Sequence, residues 1–151
     1  WVTFLNAEFD CVSVSNKHTV IRDDIVAKAL SAALNSNLFW WYYSINFDLF
    51  NFKDYMIFGF QFTYTDKTTL SNIIKLSDQM EISLRENAVY YSINSATNGL
   101  NETVTYQKFK SKDIMDTIDK ELKKIYNFTD EELDFIINYD IKYRMGDELN
   151  E

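Results

Sequence analysis

The chain has 151 residues, no proline, three glycines, one cysteine, 46% hydrophobic residues and a formal net charge of −8. That size suits one domain with its own core. No apolar run reaches the roughly 18 residues a membrane span needs, and a lone Cys11 excludes an internal disulfide framework and points to a reducing, cytoplasmic setting.

So little proline and glycine predicts long helices and few tight hairpins. The chain opens on Trp1 with no charged-then-apolar leader, which suggests a piece of a longer or processed protein. Residues 1–21 read as two or three short strands, "WVTFL", "FDCVSVS" and "TVI", with Asn16, Lys17 and His18 at a hairpin tip. Asp23 or Asp24 then caps a helix over about 25–43, thinned by four alanines and ending in a block of aromatics from Phe39 to Tyr43. An aromatic, polar loop covers 46–54, and the alternation of "YMIFGFQFTY" (55–64) predicts a strand.

A helix is expected from about Thr68, with Leu70, Ile73, Ser77, Met80 and Leu84 on one stripe. Residues 89–93 either extend it or form a strand, 94–99 turn, and 102–109 form a further strand. Residues 111–126 read as an amphipathic helix capped by Ser111, burying Ile114, Met115, Ile118, Leu122 and Ile125. Asp116 with Lys120 and Asp119 with Lys123 are spaced as surface i,i+4 pairs.

The last helix starts at "FTDEEL", where Thr129 and Glu132 are spaced as a capping box and Phe128 and Leu133 as a hydrophobic staple. Its apolar arc runs from Leu133 through Phe135, Ile136, Ile137 and Tyr139 to Ile141 and Tyr143. Asp140 and Arg144 fall inside that arc and are expected to form a partly buried structural ion pair. Together these elements predict an α+β fold. A small mixed sheet would carry several amphipathic helices, with a C-terminal helical pair (111–147) packed on a single unit spanning 1–151.

The chemistry of a stand-alone enzyme is missing from the sequence. His18 is the only histidine, so neither a histidine-centred nucleophile set nor an ordinary zinc site can be assembled. Gly59, Gly99 and Gly146 are too far apart for a phosphate-binding loop. Glu121-Leu122-Lys123 superficially fits a nuclease pattern, but on a helix the two charges lie about 200° apart. Residues 1–112 carry 11 acidic and 10 basic side chains, whereas 113–151 carry 12 and 5. The acidity belongs to the C-terminal helices, and the front part can still present a basic patch to nucleic acid.

Two stretches resemble a known family. "FTDEELDFIINYDIKYRMG" is similar to the C-terminal ending of type II restriction–modification enzymes of the fused, Eco57I-like group, whose methylase half is a DNA adenine-N6 methyltransferase. That ending follows a Ser-Lys helix entry (Ser111-Lys112), an Ile-Asp-rich helix ("IMDTIDKEL") and a short Tyr-x-Phe link (Tyr126 to Phe128). "ALNSNLFWWYYSINFD" (33–48) looks like the target-recognition helix of these enzymes, where an Asn-Ser-x-Leu-Phe run leads into aromatics and a polar loop. The resemblance spans about residues 19–147. The family's Asn-Pro-Pro-Tyr catalytic motif and its AdoMet loop have no counterpart here, so it implies the specificity segment alone, non-catalytic by itself.

On that resemblance the expected partners are double-stranded DNA and the catalytic methyltransferase domain of the same parent chain, with no membrane. The fragment itself would hold no cofactor; S-adenosylmethionine, and Mg2+ if the parent is also a nuclease, would belong to the parent protein. Base-reading candidates are Asn16, Lys17, His18, Asn46, Asp48, Asn51 and Lys53; phosphate-contact candidates are Lys108, Lys110 and Lys112. The family's loop is richer in Arg and Lys than "NFDLFNFKD", which offers only Lys53. The alternative is a protein-interaction or structural module that docks on a methyltransferase or another subunit through acidic helices and aromatic surface.

Overall fold

Hydrophobic spacing sets the frame. In the computed structural model, which describes residues 2–9, 16–49, 52–63, 66–95 and 99–139, the helical stripes all turn inward on one another. The helices are α1 (Asp24–Asn35), α2 (Asn37–Asn46), α3 (Asp54–Phe58), α4 (Lys67–Glu86), α5 (Lys112–Tyr126) and α6 (Asp130–Asn138). A hairpin of β1 (Ala88–Ser95) and β2 (Gly99–Tyr106) separates α4 from a 3₁₀ turn, Lys108–Ser111, that leads into α5. The fold is α+β, and among the described residues its sheet is this one antiparallel ribbon, in register from Ala88 opposite Tyr106 to Ser95 opposite Gly99.

Small side chains decide how closely the helices approach. Ala29, Ala32 and Ala33 have no solvent exposure and let α1 lie directly on α4. From α4, Ile73, Leu76, Met80 and Leu84 are buried, as the expected stripe requires. The Asp66 carboxylate accepts the Thr69 N–H at 2.6 Å and starts that helix. A hydrogen bond with the Thr69 side chain, and after it the one from the Thr69 N–H, holds the Asp66 carboxyl below the usual range. Met115, Ile118 and Leu122 bring α5 into the same core. At its end Asn127 takes a left-handed conformation (φ 55°), and the Phe128 N–H returns to the Lys123 carbonyl at 3.1 Å.

The capping box at α6 forms as its spacing demands. The Glu132 N–H donates to Thr129 Oγ1 at 3.1 Å, and the Thr129 N–H donates to Glu132 Oε2 at 2.8 Å. Of α6, Ile136 is buried, while Phe135 is 55% exposed, so the helix buries a narrower arc than expected. Asp140 and Arg144, with Ile141 and Tyr143, lie outside the described residues.

Several expectations are corrected. Residues 2–9 and 16–21 form no strand, where short strands were expected; residues 10–15, most of the expected strand before Asn16, Lys17 and His18, lie outside the described residues. Residues 54–58 are helical rather than extended, because Met56 and Phe60, four apart, both enter the core. The Gly59 and Phe60 N–H groups bond to Tyr55 and Ile57 within the same turn, which removes the need for a partner strand. The predicted strand over 102–109 stops at Tyr106. Ser111 makes no cap. Its hydroxyl bonds Ser83 Oγ at 2.8 Å because the chain enters α5 already coiled through the 3₁₀ turn.

The i,i+4 pairs on α5 also re-sort. Asp116 pairs with Lys112 at 2.6 Å, Lys123 pairs with Asp130, and Asp119 is buried. If this packing is right, Leu122→Ala is expected to cost about 2–5 kcal/mol and Phe135→Ala less than about 0.5 kcal/mol. Urea unfolding of both variants checks the assignment; equal costs would contradict the buried face described for α5 and α6.

Candidate functional site

Three consecutive cap-forming residues interrupt what would otherwise be one long helix. Asn35, Ser36 and Asn37 are all buried. Ser36 ends α1 and begins α2. Its N–H and its hydroxyl both bond the Ala33 carbonyl, at 3.2 and 2.6 Å, while its Oγ accepts the Phe39 N–H at 3.0 Å. Asn35 holds the N-terminal segment in the manner of a strand partner. Its Oδ1 accepts the Phe4 N–H at 3.2 Å, and its Nδ2 donates to the Phe4 and Ser31 carbonyls at 2.8 and 3.0 Å.

Asn37 and Leu38 meet α5. Asp119 is 1% exposed, and its carboxylate gathers three donors from the first turn of α2. The Asn37 N–H reaches Oδ2 at 3.1 Å, Asn37 Nδ2 reaches the same oxygen at 2.7 Å, and the Leu38 N–H reaches Oδ1 at 3.0 Å. Asn37 Nδ2 also donates to Asp116 Oδ1 at 3.0 Å. An anion at a helix N-terminus satisfies orphan N–H groups and meets the positive end of the helix dipole. Burial nevertheless dominates and pushes the Asp119 carboxyl up to about 6, against the pull of the Leu38 and Asn37 hydrogen bonds.

From this anchored end α2 runs about 15 Å through a stack of aromatics. Phe39 packs edge-on against Phe4, Phe52 and Phe60, and Tyr43 packs against Phe47 and Phe52. At the far end stand Asn46, the last residue of α2, and beyond it in the chain Asp48 and Lys53, all exposed; Asn51 lies outside the described residues. Asn46 Nδ2 donates to the Tyr42 carbonyl at 2.8 Å. Leu49 sits at φ 61°, a left-handed conformation that costs a branched apolar residue roughly 1–3 kcal/mol. Ile45, Leu49, Tyr55 (60% exposed) and Phe58 (70% exposed) are large apolar side chains exposed along the same stretch of chain.

The other candidates do not share one face. Lys17 and His18 are exposed and Asn16 is half-buried, in an irregular segment. Lys108 is 4% exposed and its Nζ donates to the Val2 carbonyl at 3.0 Å, so the chain's own backbone occupies it. Lys112 is held by Asp116. Lys110 alone of the three is fully presented, with its ammonium 5.9 Å from the Phe109 ring. The 3₁₀ turn over 108–111 rotates successive residues by about 120°, which destroys the alternation a strand would have given.

The clamp residues Asn35, Asn37, Asp116 and Asp119 were not among the sequence candidates. A signal for Asp119 existed: Met115, Ile118, Asp119 and Leu122 follow i, i+3, i+4, i+7, which puts the carboxylate on the buried stripe. Compared with known protein families, characterised proteins and solved structures, the chain shows no significant match.

Asp119→Ala strands two buried N–H groups and is expected to cost roughly 2–3 kcal/mol at neutral pH. Because the folded-state pKa lies above the unfolded value, the ionised form penalises folding above about pH 6, and that penalty fades as pH falls toward 3.8. The wild type should therefore gain stability relative to Asp119→Asn, on the order of 3 kcal/mol at most, as pH drops through that window. Urea midpoints of the two proteins from pH 7.5 to 4 measure the difference; parallel curves would show that Asp119 does not titrate there.

Proposed function

We propose that this chain is the DNA sequence-recognition part of a bacterial restriction–modification enzyme, whose parent is an N6-adenine DNA methyltransferase and which carries no catalysis itself. The observation that supports the reading most is the Asp119 clamp. "IMDTIDKEL" and "ALNSNLFWWYYSINFD" are stretches similar to that family, and they are bonded to each other through Asp119, Asn37 and Leu38. Residues over 80 positions apart thus serve one purpose, a fixed α2 whose free end holds a polar loop.

That loop has chemistry suited to base edges. In a major groove an Asn amide matches adenine N6 and N7, a carboxylate accepts from cytosine N4, and a lysine donates to guanine O6 or N7. Asn46, Asp48 and Lys53 supply one of each. Lys110 and Lys17, exposed and without an ion-pair partner among the described residues, are suited to phosphates. Flipping of the adenine, S-adenosylmethionine and any Mg2+ belong in this reading to the catalytic part of the parent. Among the described residues no cluster of three His, Cys, Asp or Glu side chains converges on a metal position.

The exposed Ile45, Leu49, Tyr55 and Phe58 favour a second role in the same region, docking against that catalytic part or another subunit. The acidic α6 faces a duplex poorly and fits a protein neighbour better.

The test is binding of the chain to a duplex pool with a randomised centre, followed by selection and by salt titration of the enriched sequence. Lys110→Ala is expected to lower the salt slope by about 0.9 and weaken all sequences alike. Lys53→Ala and Asn46→Ala should cost about 1–3 kcal/mol and relax the selected sequence. Lys108→Ala should act on stability and leave the slope unchanged. Failure to enrich any duplex at low salt would overturn the DNA reading.

A further inference from the structure

Residues 2–9 are hydrogen-bonded to the rest of the molecule entirely through that body's side chains. Asn35 meets both main-chain groups of Phe4, its Oδ1 accepting the N–H at 3.2 Å and its Nδ2 donating to the carbonyl at 2.8 Å. Lys108 Nζ donates to the Val2 carbonyl at 3.0 Å, Glu81 Oε2 accepts the Asn6 N–H at 2.9 Å, and Arg85 donates to the Glu8 carbonyl at 3.0 Å. The groups met belong to residues 2, 4, 6 and 8, the alternation that one edge of an extended chain presents. The Phe4 ring stands edge-on to Phe39 and Phe52, with centroids 5.6 and 5.5 Å away. Leu5 packs on the smaller core of Met80, Leu84 and Met115.

Two features set this segment apart. It makes no hydrogen bond within itself, and its partners lie 31 to 106 positions away. The side chains of Asn35 and Lys108 that receive it are buried, whereas Asn6, Ala7 and Glu8 are exposed. A buried polar group left unmet is costly, so an emptied groove refills. A segment that is exposed over half its length is among the easiest parts of a chain to lift. None of these contacts depends on which molecule supplies the segment.

We propose that this groove is a peptide-binding site for residues 2–9 of a second copy of the chain, so that two copies pair by exchanging these segments. Such pairing goes beyond the DNA reading and does not depend on it.

The chemistry of the groove specifies the partner. Asn35 and Lys108 read main chain and would accept any extended segment. The slot for the Phe4 ring, the Leu5 contact and the bond from Asn6 Nδ2 to Ser77 Oγ at 3.0 Å add side-chain demands, and every copy carries a segment that meets them. Reciprocal exchange keeps each bond, so the single and paired forms differ chiefly in the entropy of association. The seven steps from Phe9 to Asn16 extend at most about 25 Å, so the paired bodies would lie side by side. A short tether gives a copy's own segment an effective concentration of roughly a millimolar. Exchange in the wild type is therefore a high-concentration event, and weakening the resident segment brings it into ordinary range.

Complementary variants of the whole chain test this. Phe4→Ala keeps a good groove with a poor segment, and Asn35→Ala keeps a good segment with a poor groove. Each is expected to sediment alone as a monomer, and their mixture as a one-to-one complex. Hydrogen exchange of the wild type sets the affinity. If the Phe4 and Asn6 amides are open about one part in a hundred, the Kd in trans is a hundredth of the effective concentration, roughly 10 µM. A mixture that stays monomeric at ten times the Kd so measured would overturn the proposal. So would Phe4 and Asn6 amides that exchange only with the whole core.

A labelled peptide of residues 2–9 decides the matter even if a variant does not fold. Followed by anisotropy, it should half-saturate the wild-type groove at about a millimolar, where it competes evenly with the tethered segment. No binding at several times that concentration would overturn the proposal. Equal binding of a scrambled peptide would overturn the second copy as the partner, because the groove would then accept any extended chain.

Discussion

Three hydrogen bonds to one buried carboxylate tie α5 to the first turn of α2. Asp119 lies on the helix that closes the core and grips the first turn of the helix that carries the polar loop. Without it, α2 would rest on apolar packing, the Ser36 cap and the Asn37–Asp116 bond. Stacked and edge-on rings of the kind around Phe39 and Tyr43 stabilise without fixing rotation as tightly as charge-assisted hydrogen bonds do. Packing supplies the adhesion in this region, and the carboxylate supplies the angle.

The same division runs through the rest of the fold. With no proline anywhere, four of the described helices start on side chains that bond backbone groups. Asp23, Ser36, Asp66 and Thr129 each accept from the first turn of a helix, and Asn127 ends one by entering the left-handed region. These devices are short polar residues; Ser36 is itself buried, while Asp23, Asp66 and Thr129 stay at exposed helix ends. Helix α1, which lies against α4, buries Ala29, Ala32 and Ala33 completely.

Local signals made much of this visible in advance. The stripes of α4 and α5 and the capping box of α6 depend on residues three or four apart, and they formed as the spacing required. What failed depended on partners distant in the chain. The phenylalanines of 58–62 alternate as in a strand, yet the core recruits Met56 and Phe60 at helical spacing. Asn35-Ser36-Asn37 looked compatible with one continuous helix until Phe4 and Asp119 claimed the two asparagines. Asp119 itself read as a surface residue because Lys123 follows four positions later, but Lys123 turns to Asp130 instead. The lysines at 108, 110 and 112 share a spacing and no environment. Of the loop candidates, Asn46, Asp48 and Lys53 are exposed.

The hairpin carries a different consequence. Residues 87–107 contain one charged side chain, Glu102, in a chain where charged residues make up a quarter of the whole. Tyr90 and Tyr91 are exposed on opposite faces, and each strand has one edge unpaired among the described residues. Charged gatekeepers are the usual protection for such edges, and here a single glutamate performs that task. At high concentration this ribbon is therefore the seam along which separate molecules would join strand to strand, and a lysine placed opposite Glu102 at Ser92 is the substitution that closes it without touching the core.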